Sequence, residues 1–319
     1  MKTLLKFLFN TQYKLSRSKP AQPDSGFTMI ELLIGTILAF LIIGPLLGFV
    51  VSILNDDTRE QTKSAAEFEL QAAIDFMAED LSQAYYIYSP DQLDNVGPLP
   101  EPEGGEALVV FWKLKRLNDA VPPAASEDNP IDCDPETCDD ANVRALVAYY
   151  LVQDDEEIWC QPKSDANNCP QRIVRYEFND GLKRPGGLYY EDGETKKSQQ
   201  KDDGYNENFN QGLLFTGGDR QTATENVTTG NFNRNNNPGQ VLINYVDIDN
   251  NDDDNRFRIP LDPENPDEEP LQRIRFQIML NSLRRTDANA GKCREEDNAP
   301  AEGFCQRATI EVQGLELSN

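Results

Sequence analysis

Histidine is absent from the 319 residues. That excludes Ser–His and Cys–His nucleophilic catalysis, imidazole-ligated metals and any switch built on imidazole titration near neutrality. Basic charge is scarce: 30 Lys and Arg stand against 55 Asp and Glu, a net charge of −25 at pH 7. A phosphate backbone would be repelled over most of such a surface, so nucleic acid is excluded as a ligand. Hydrophobic residues make up only 38%, and they are unevenly spread, because nearly every residue from Phe27 to Leu54 is apolar. The rest of the chain is more polar than the average states. The sequence has no C-x-x-C pair. Without that spacing and without histidine, the six cysteines (Cys133, Cys138, Cys160, Cys169, Cys293 and Cys305) fit an exported, oxidised domain better than a zinc site. Their connectivity is open from sequence alone. Three local pairs, Cys133–Cys138, Cys160–Cys169 and Cys293–Cys305, are the simplest arrangement.

What is present is concentrated at the amino terminus. Lys2, Lys6, Lys14, Arg17 and Lys19 face Asp24 alone before Gly26, and the apolar run Phe27–Leu54 follows. As a helix this run rises about 42 Å, against roughly 30 Å of hydrocarbon in a bilayer. Positive charge before it and Asp56–Asp57 after it place the amino terminus in the cytoplasm. A secretory signal peptide would have a shorter apolar core followed by a small-x-small site. Here the small residue, Gly26, precedes a longer run. Glu31 interrupts that run five residues in. A carboxylate at that depth costs roughly 2–4 kcal/mol and calls for a partner. Cleavage after Gly26 would create one, the α-amino group of Phe27, on the same or a neighbouring chain.

Gly26-Phe27-Thr28-Met29-Ile30-Glu31, behind a basic stretch and ahead of a long apolar helix, resembles the prepilin peptidase site of the type IV pilin and pseudopilin family. The resemblance implies removal of a leader, residues 1–26, by a prepilin peptidase. It also implies N-methylation of Phe27, and pairing of Glu31 with a neighbour's amino terminus as subunits enter a filament. Gly35, Gly44, Pro45 and Gly48 lie within the apolar helix. The family has a helix-breaking region at about this depth, and proline removes a backbone bond and bends or melts the preceding turn. The general abundance of Gly and Pro in membrane helices accounts for them equally well.

Leu70, Ile74, Met77, Leu81, Tyr85 and Tyr88 recur at helical steps, with Glu67, Glu69, Asp75, Glu79 and Asp80 off the stripe; a structural partnership for Asp80 is open, but a solvated face is the better reading of this row of acids. This stripe predicts a helix running on to about Tyr88 and packed on a sheet. Ser89–Glu106, rich in Pro, Gly and acids, reads as a loop. Strand-like runs follow at Ala107–Leu114, Ala145–Val152, Ile173–Phe178, Val241–Val246, Leu271–Leu283 and Ala308–Gln313. Residues 191–240 form a polar insert and predict irregular chain. One helix followed by strands gives an α+β class with an antiparallel sheet. The expected organisation is a leader at 1–26, a transmembrane or filament-core helix at 27–54, an amphipathic continuation at 55–90 and a β-rich extracytoplasmic head at 91–319.

Residues 72–84 resemble the larger, J/W-like minor pseudopilins. Met1–Phe7, Ala39–Phe49 and Asp80–Tyr88 resemble the hormogonium polysaccharide secretion pseudopilins. The likeness covers roughly the first 90 residues. It implies a pilin-like fold and a minor, non-catalytic subunit of a type IV pilus-like machine tied to gliding motility and polysaccharide secretion. Its implied partners are other pilins or pseudopilins, the inner-membrane assembly platform and the prepilin peptidase. The protein would be anchored in the inner membrane by one span, its head periplasmic or extracellular, where contact with polysaccharide is open to it. The family often closes a carboxy-terminal loop with a disulfide, and Cys293 and Cys305 are placed for that.

Three further readings stand beside this one. Asp247, Asp249, Asn251 and Asp253 offer side-chain oxygens at alternate positions, as in the first half of a calcium loop. The match is partial, since Asp252 and Arg258 stand where an EF-hand needs Gly and Glu, and a solvated turn explains the same residues. Paired carboxylates could hydrolyse glycosides, but no phosphate loop or nucleophile elbow accompanies them, and the expectation is that the protein is not an enzyme. The remaining alternative is a single-pass receptor or adhesin that keeps residues 1–26 and never assembles.

Overall fold

The computed structural model describes residues 26–88, 105–121, 138–153, 156–162, 169–183, 202, 239–248, 258–260, 273–293 and 303–315. The chain divides into two units, Met1–Asp57 and Thr58–Asn319.

Helix α1, Met29–Ser82, begins in the first unit and ends in the second. Within the first unit every described residue from Gly26 to Leu54 is exposed. Leucine, isoleucine, phenylalanine and valine point outward on all sides, as a helix does when its solvent is lipid or other helices. It is long and apolar enough to cross a membrane. The helix runs through Gly44 and Pro45 without a break, so the missing proline N–H does not end it.

In the second unit, α1 buries Ala66, Leu70, Ala73, Ile74, Met77, Asp80 and Leu81 along one stripe. This is the face the helical spacing indicated as far as Leu81. The helix stops earlier than expected, however. Tyr85 falls in strand β1, Ala84–Ile87, and Tyr88 follows it. The aromatic pattern of Tyr85-Tyr86-Ile87-Tyr88 suits a pleated strand at least as well as a helix. As a strand it sends Tyr86 and Tyr88 to one face of the sheet while Ile87 joins the helix-side core. Trp112 Nε1 donates to the buried Tyr88 hydroxyl at 3.0 Å, which satisfies both polar atoms.

Seven further strands follow: β2 (Gly105–Val121), β3 (Asp139–Val152), β4 (Gln171–Asn179), β5 (Gln240–Val246), β6 (Arg258–Pro260), β7 (Arg273–Asn281) and β8 (Cys305–Gln313). All pairings are antiparallel. Each of the six strand-like runs of the sequence overlaps an observed strand. Strands β1 and β6 are short, at 4 and 3 residues, and carry too little alternation to be read alone. Along the sheet, β1 to β5 are sequential neighbours. Strand β5 then meets β7 through Val246↔Leu280, β6 pairs Arg258–Pro260 with Ile274–Phe276 of β7, and β8 pairs β7 from Arg273↔Gln313 to Asn281↔Cys305. After β8 the chain returns to β1, where Leu315 N–H donates to the Ala84 carbonyl at 2.7 Å. Gly314 makes this closure possible, because a Cβ there would lie 2.6 Å from the Ala84 oxygen.

Alternation divides the sheet between two cores. Val109, Phe111, Val147, Tyr149, Ile173, Ile243, Phe276 and Ile278 face α1. Val110, Trp112, Leu146, Ala148, Tyr150, Val174 and Tyr176 form a second buried cluster on the opposite face. A sheet buried on both faces explains why Ala145–Val152 reads as a continuous apolar run. A fully buried side chain on the stripe should matter far more than an exposed one behind it. Met77→Ala is expected to lower the unfolding free energy by about 2–5 kcal/mol. Phe68→Ala, on the outward face, should stay within about 0.5 kcal/mol. Denaturant unfolding of the full-length protein in detergent checks the contrast.

Candidate functional site

Gly26, Phe27 and Thr28 precede the helix, and nothing lies within 4 Å of a Cβ built on Gly26. Phe27 is 80% exposed. Thr28 starts the helix. Its carbonyl accepts from Glu31 N–H at 3.1 Å and from Leu32 N–H at 3.2 Å, and its hydroxyl accepts from Glu31 N–H at 3.4 Å. Thr28 and Glu31 therefore occupy the two positions of a capping-box pattern. Glu31 sits in the first turn, where the helix dipole favours a negative charge. The sequence supplied Gly26, Phe27 and Glu31 but not this capping role for Thr28; the T-x-x-E spacing was the available signal.

Beneath the sheet lies a buried group of paired charges. Asp80, on the buried stripe of α1, is only 5% exposed. Three strands aim donors at its carboxylate. Lys113 Nζ on β2 lies 2.6 Å away, the Tyr149 hydroxyl on β3 donates at 2.6 Å, and Arg175 on β4 donates through Nε at 2.7 Å and Nη2 at 3.2 Å. Glu177, two residues along β4, pairs with Arg175, with Lys115 at 2.6 Å and with Lys113 at 3.4 Å. The Arg175 guanidinium also lies 5.6 Å from the Phe76 ring centre. This corrects the reading of Asp80 as part of a solvated face. The cause is geometric: position 80 follows Met77 by one turn of the same stripe. Period-two reading of β2 and β4 carries the matching signal, since Lys113 continues the inward Val109–Phe111 row while Arg175 and Glu177 continue from Ile173.

The electrostatics follow from burial and pairing. Burial pushes the Asp80 carboxyl up, but the Arg175, Lys113 and Tyr149 donors outweigh it and hold the group below its ordinary value. Burial likewise raises Glu177, and the Arg175, Lys115 and Lys113 cations bring it down to about 2. Tyr149 is pushed up by burial and by the Asp80 charge, so it stays a neutral donor. Both carboxylates remain ionised and saturated with donors, an arrangement that holds structure rather than one that offers a proton.

The carboxy-terminal disulfide forms a third locus. Cys293 and Cys305 are bonded, as are Cys160 and Cys169. Cys138 is also disulfide-bonded, and Cys133 lies outside the described residues. Asp247 is buried, its N–H donating to Met279 O at 2.8 Å and its Oδ2 accepting from Cys293 N–H at 2.6 Å. The first oxygen expected of a calcium loop thus fixes the disulfide loop. Asp249, Asn251 and Asp253 lie outside the described residues, and among the described residues no group of three or more His, Cys, Asp or Glu could hold a metal ion. Near Asp247, Tyr245 takes a φ of 62°. That backbone costs about 1–2 kcal/mol for a non-glycine residue. Asn244 Oδ1 accepts from Tyr245 N–H at 2.8 Å, and the Tyr245 hydroxyl donates to Gln161 O at 3.0 Å inside the Cys160–Cys169 loop. Arg285 stacks 5.0 Å from the Tyr245 ring and pairs with Glu69 on α1. No sequence signal marks this bridge, because it joins four distant segments.

Comparison with protein-family models, with curated proteins and with solved structures finds no match to this chain.

Asp80→Asn is expected to destabilise the protein by about 3–5 kcal/mol, since it removes one of the two carboxylates that the buried Arg175 and Lys113 share and leaves them to Glu177. Both carboxylates are depressed in the folded protein. Their stabilisation is complete above the ordinary carboxylate range and is lost as pH falls, for Glu177 between its ordinary 4.5 and about 2. Thermal unfolding should show the melting temperature falling through that window, with a shallower fall in Glu177→Gln.

Proposed function

We propose that the protein is a non-catalytic, minor pseudopilin-like subunit of a type IV pilus-like machine associated with gliding motility and polysaccharide secretion. Prepilin peptidase removes the leader after Gly26, and Phe27 becomes the methylated amino terminus. The helix from Phe27 to Leu54 holds the subunit in the inner membrane until the assembly platform passes it to neighbouring pilins. The disulfide-bonded acidic head stands in the periplasm or outside the cell. The observation that supports this best is the wholly exposed apolar helix with one carboxylate in its first turn, directly behind the Gly26–Phe27 bond. A helix exposed on all sides needs an apolar solvent, and lipid followed by a bundle of like helices supplies one at each stage. The link to motility and polysaccharide rests on the sequence likeness of the first 90 or so residues.

One observation favours the non-assembling membrane receptor or adhesin. The helix dipole favours a negative charge in the first turn, which gives the Glu31 carboxylate a local role that needs no neighbour. Glu31→Gln separates the two readings, because glutamine keeps the side-chain length and helix preference and loses the charge that a neighbour's amino terminus would pair with. The pseudopilin reading predicts that this variant is still processed and membrane-inserted but is lost from the sheared filament fraction. Wild-type recovery in that fraction would remove the support for subunit pairing through the Glu31 charge.

A further inference from the structure

Among the described residues three strands end the sheet, and two of them are blunted. Strand β1 has 4 residues, pairs β2 with a register shift, and its Ala84 carbonyl is taken by Leu315. Strand β6 has 3 residues and ends in Pro260. Short length, irregular pairing and proline are devices that keep a sheet edge from recruiting another strand. Strand β8 has none of them. It has 9 residues, contains neither proline nor lysine, and pairs β7 from end to end without a register shift. Among the described residues no strand pairs with its far side.

Hydrogen-bond parity says which backbone groups that far side presents. Ser282 N–H donates to Phe304 O at 2.9 Å, so even-numbered residues of β8 turn their backbone groups toward β7. Odd-numbered residues turn away from it, and Leu315, continuing that parity, donates across to Ala84. The open edge therefore runs from Cys305 to Gln313, about 30 Å, with Thr309 at its midpoint. A second β8 laid antiparallel about a two-fold axis at Thr309 uses the whole of it. That register sets Arg307 opposite Glu311 of the second copy, twice, and Thr309 opposite Thr309. On the helix-side face Ala308 meets Ile310, again twice. No other antiparallel register opposes the two charges; axes at 307 or 311 set like against like. Glu311 takes Arg275 on Oε1, which leaves Oε2 to the second copy. Arg273 and Arg275 share the outward face with Arg307, so the seam is locally basic on a chain of net charge −25. A groove of about 450 Å³, lined by Lys63, Glu67, Leu70 and Gln71 of α1, opens beside the first half of the strand. We infer that the far edge of β8 is a contact between two copies of this chain, whose heads join through antiparallel β8–β8 pairing.

The contact lies wholly within the head unit and does not require cleavage at Gly26. Among the described residues no cysteine is free, so a single added thiol acts as the reporter. The two copies of position 309 would form a hydrogen-bonded pair with Cα atoms about 5.5 Å apart, within disulfide reach. The two copies of position 311 would be offset by four residues, about 13 Å along the strands, beyond it. The test oxidises full-length Thr309→Cys and Glu311→Cys proteins with copper–phenanthroline in the membranes of the cells that make them, and maps the product by mass spectrometry. The expected product is a dimer linked at position 309, in roughly tenfold or greater yield over Glu311→Cys. In the Thr309→Cys protein, adding Arg307→Glu should cut the yield roughly tenfold, because both charge pairs become like-charged. Adding Glu311→Arg as well should restore it, with the melting temperature unchanged throughout. Equal yields from positions 309 and 311, a yield indifferent to the charge reversal, a link to a different polypeptide or no product would each overturn the inference.

Discussion

Lys113, Tyr149 and Arg175 converge on the Asp80 carboxylate from three adjacent strands. An apolar stripe decides which side of a helix is buried, but it tolerates sliding and rotation by a few degrees. A carboxylate met by directed donors from β2, β3 and β4 does not, since each donor bond weakens steeply off its line. Asp80 therefore sets the register of α1 against the sheet. Glu177 supplies a second carboxylate for the three cations Lys113, Lys115 and Arg175. Such a cluster contributes little net stability compared with a well-packed apolar alternative, because desolvation offsets much of the attraction. What it confers is a single arrangement of helix and strands.

The two units bury their apolar residues by opposite means. The head covers both faces of its sheet, and its last strand returns to the first through Leu315 and Ala84. The segment from Phe27 to Leu54 covers none of its own side chains. Its stability as a helix comes from having every backbone bond inside the segment, the condition for residence in hydrocarbon. Disulfides join Cys160 to Cys169 and Cys293 to Cys305, and Asp247 and Tyr245 tie Cys293 and Gln161 to the end of β5.

The legible parts of the fold were those set by local periodicity. The apolar run, the Leu70–Leu81 stripe and the six longer strands each repeat their signal several times over. The Asp80 network was not read, although the inward positions of Lys113, Arg175 and Glu177 could have been taken from strand alternation. A charge on an inward row demands a partner, and the only inward carboxylate on the helix stripe is Asp80. The end of α1 was misplaced because Tyr85 and Tyr88 continue a helical spacing while belonging to a strand and its exit. The Tyr245–Arg285–Glu69 bridge carried no local signal at all, being made by tertiary contact alone.

The proposed assembly into a filament requires residue 27 to be the mature amino terminus. Intact mass and amino-terminal sequence of the membrane-extracted protein, from cells with and without a prepilin peptidase, test this directly. The expected result is a chain that begins at methylated Phe27 only when the peptidase is present. A chain that begins at Met1 in both would contradict the pseudopilin assignment and leave a static, membrane-anchored acidic head.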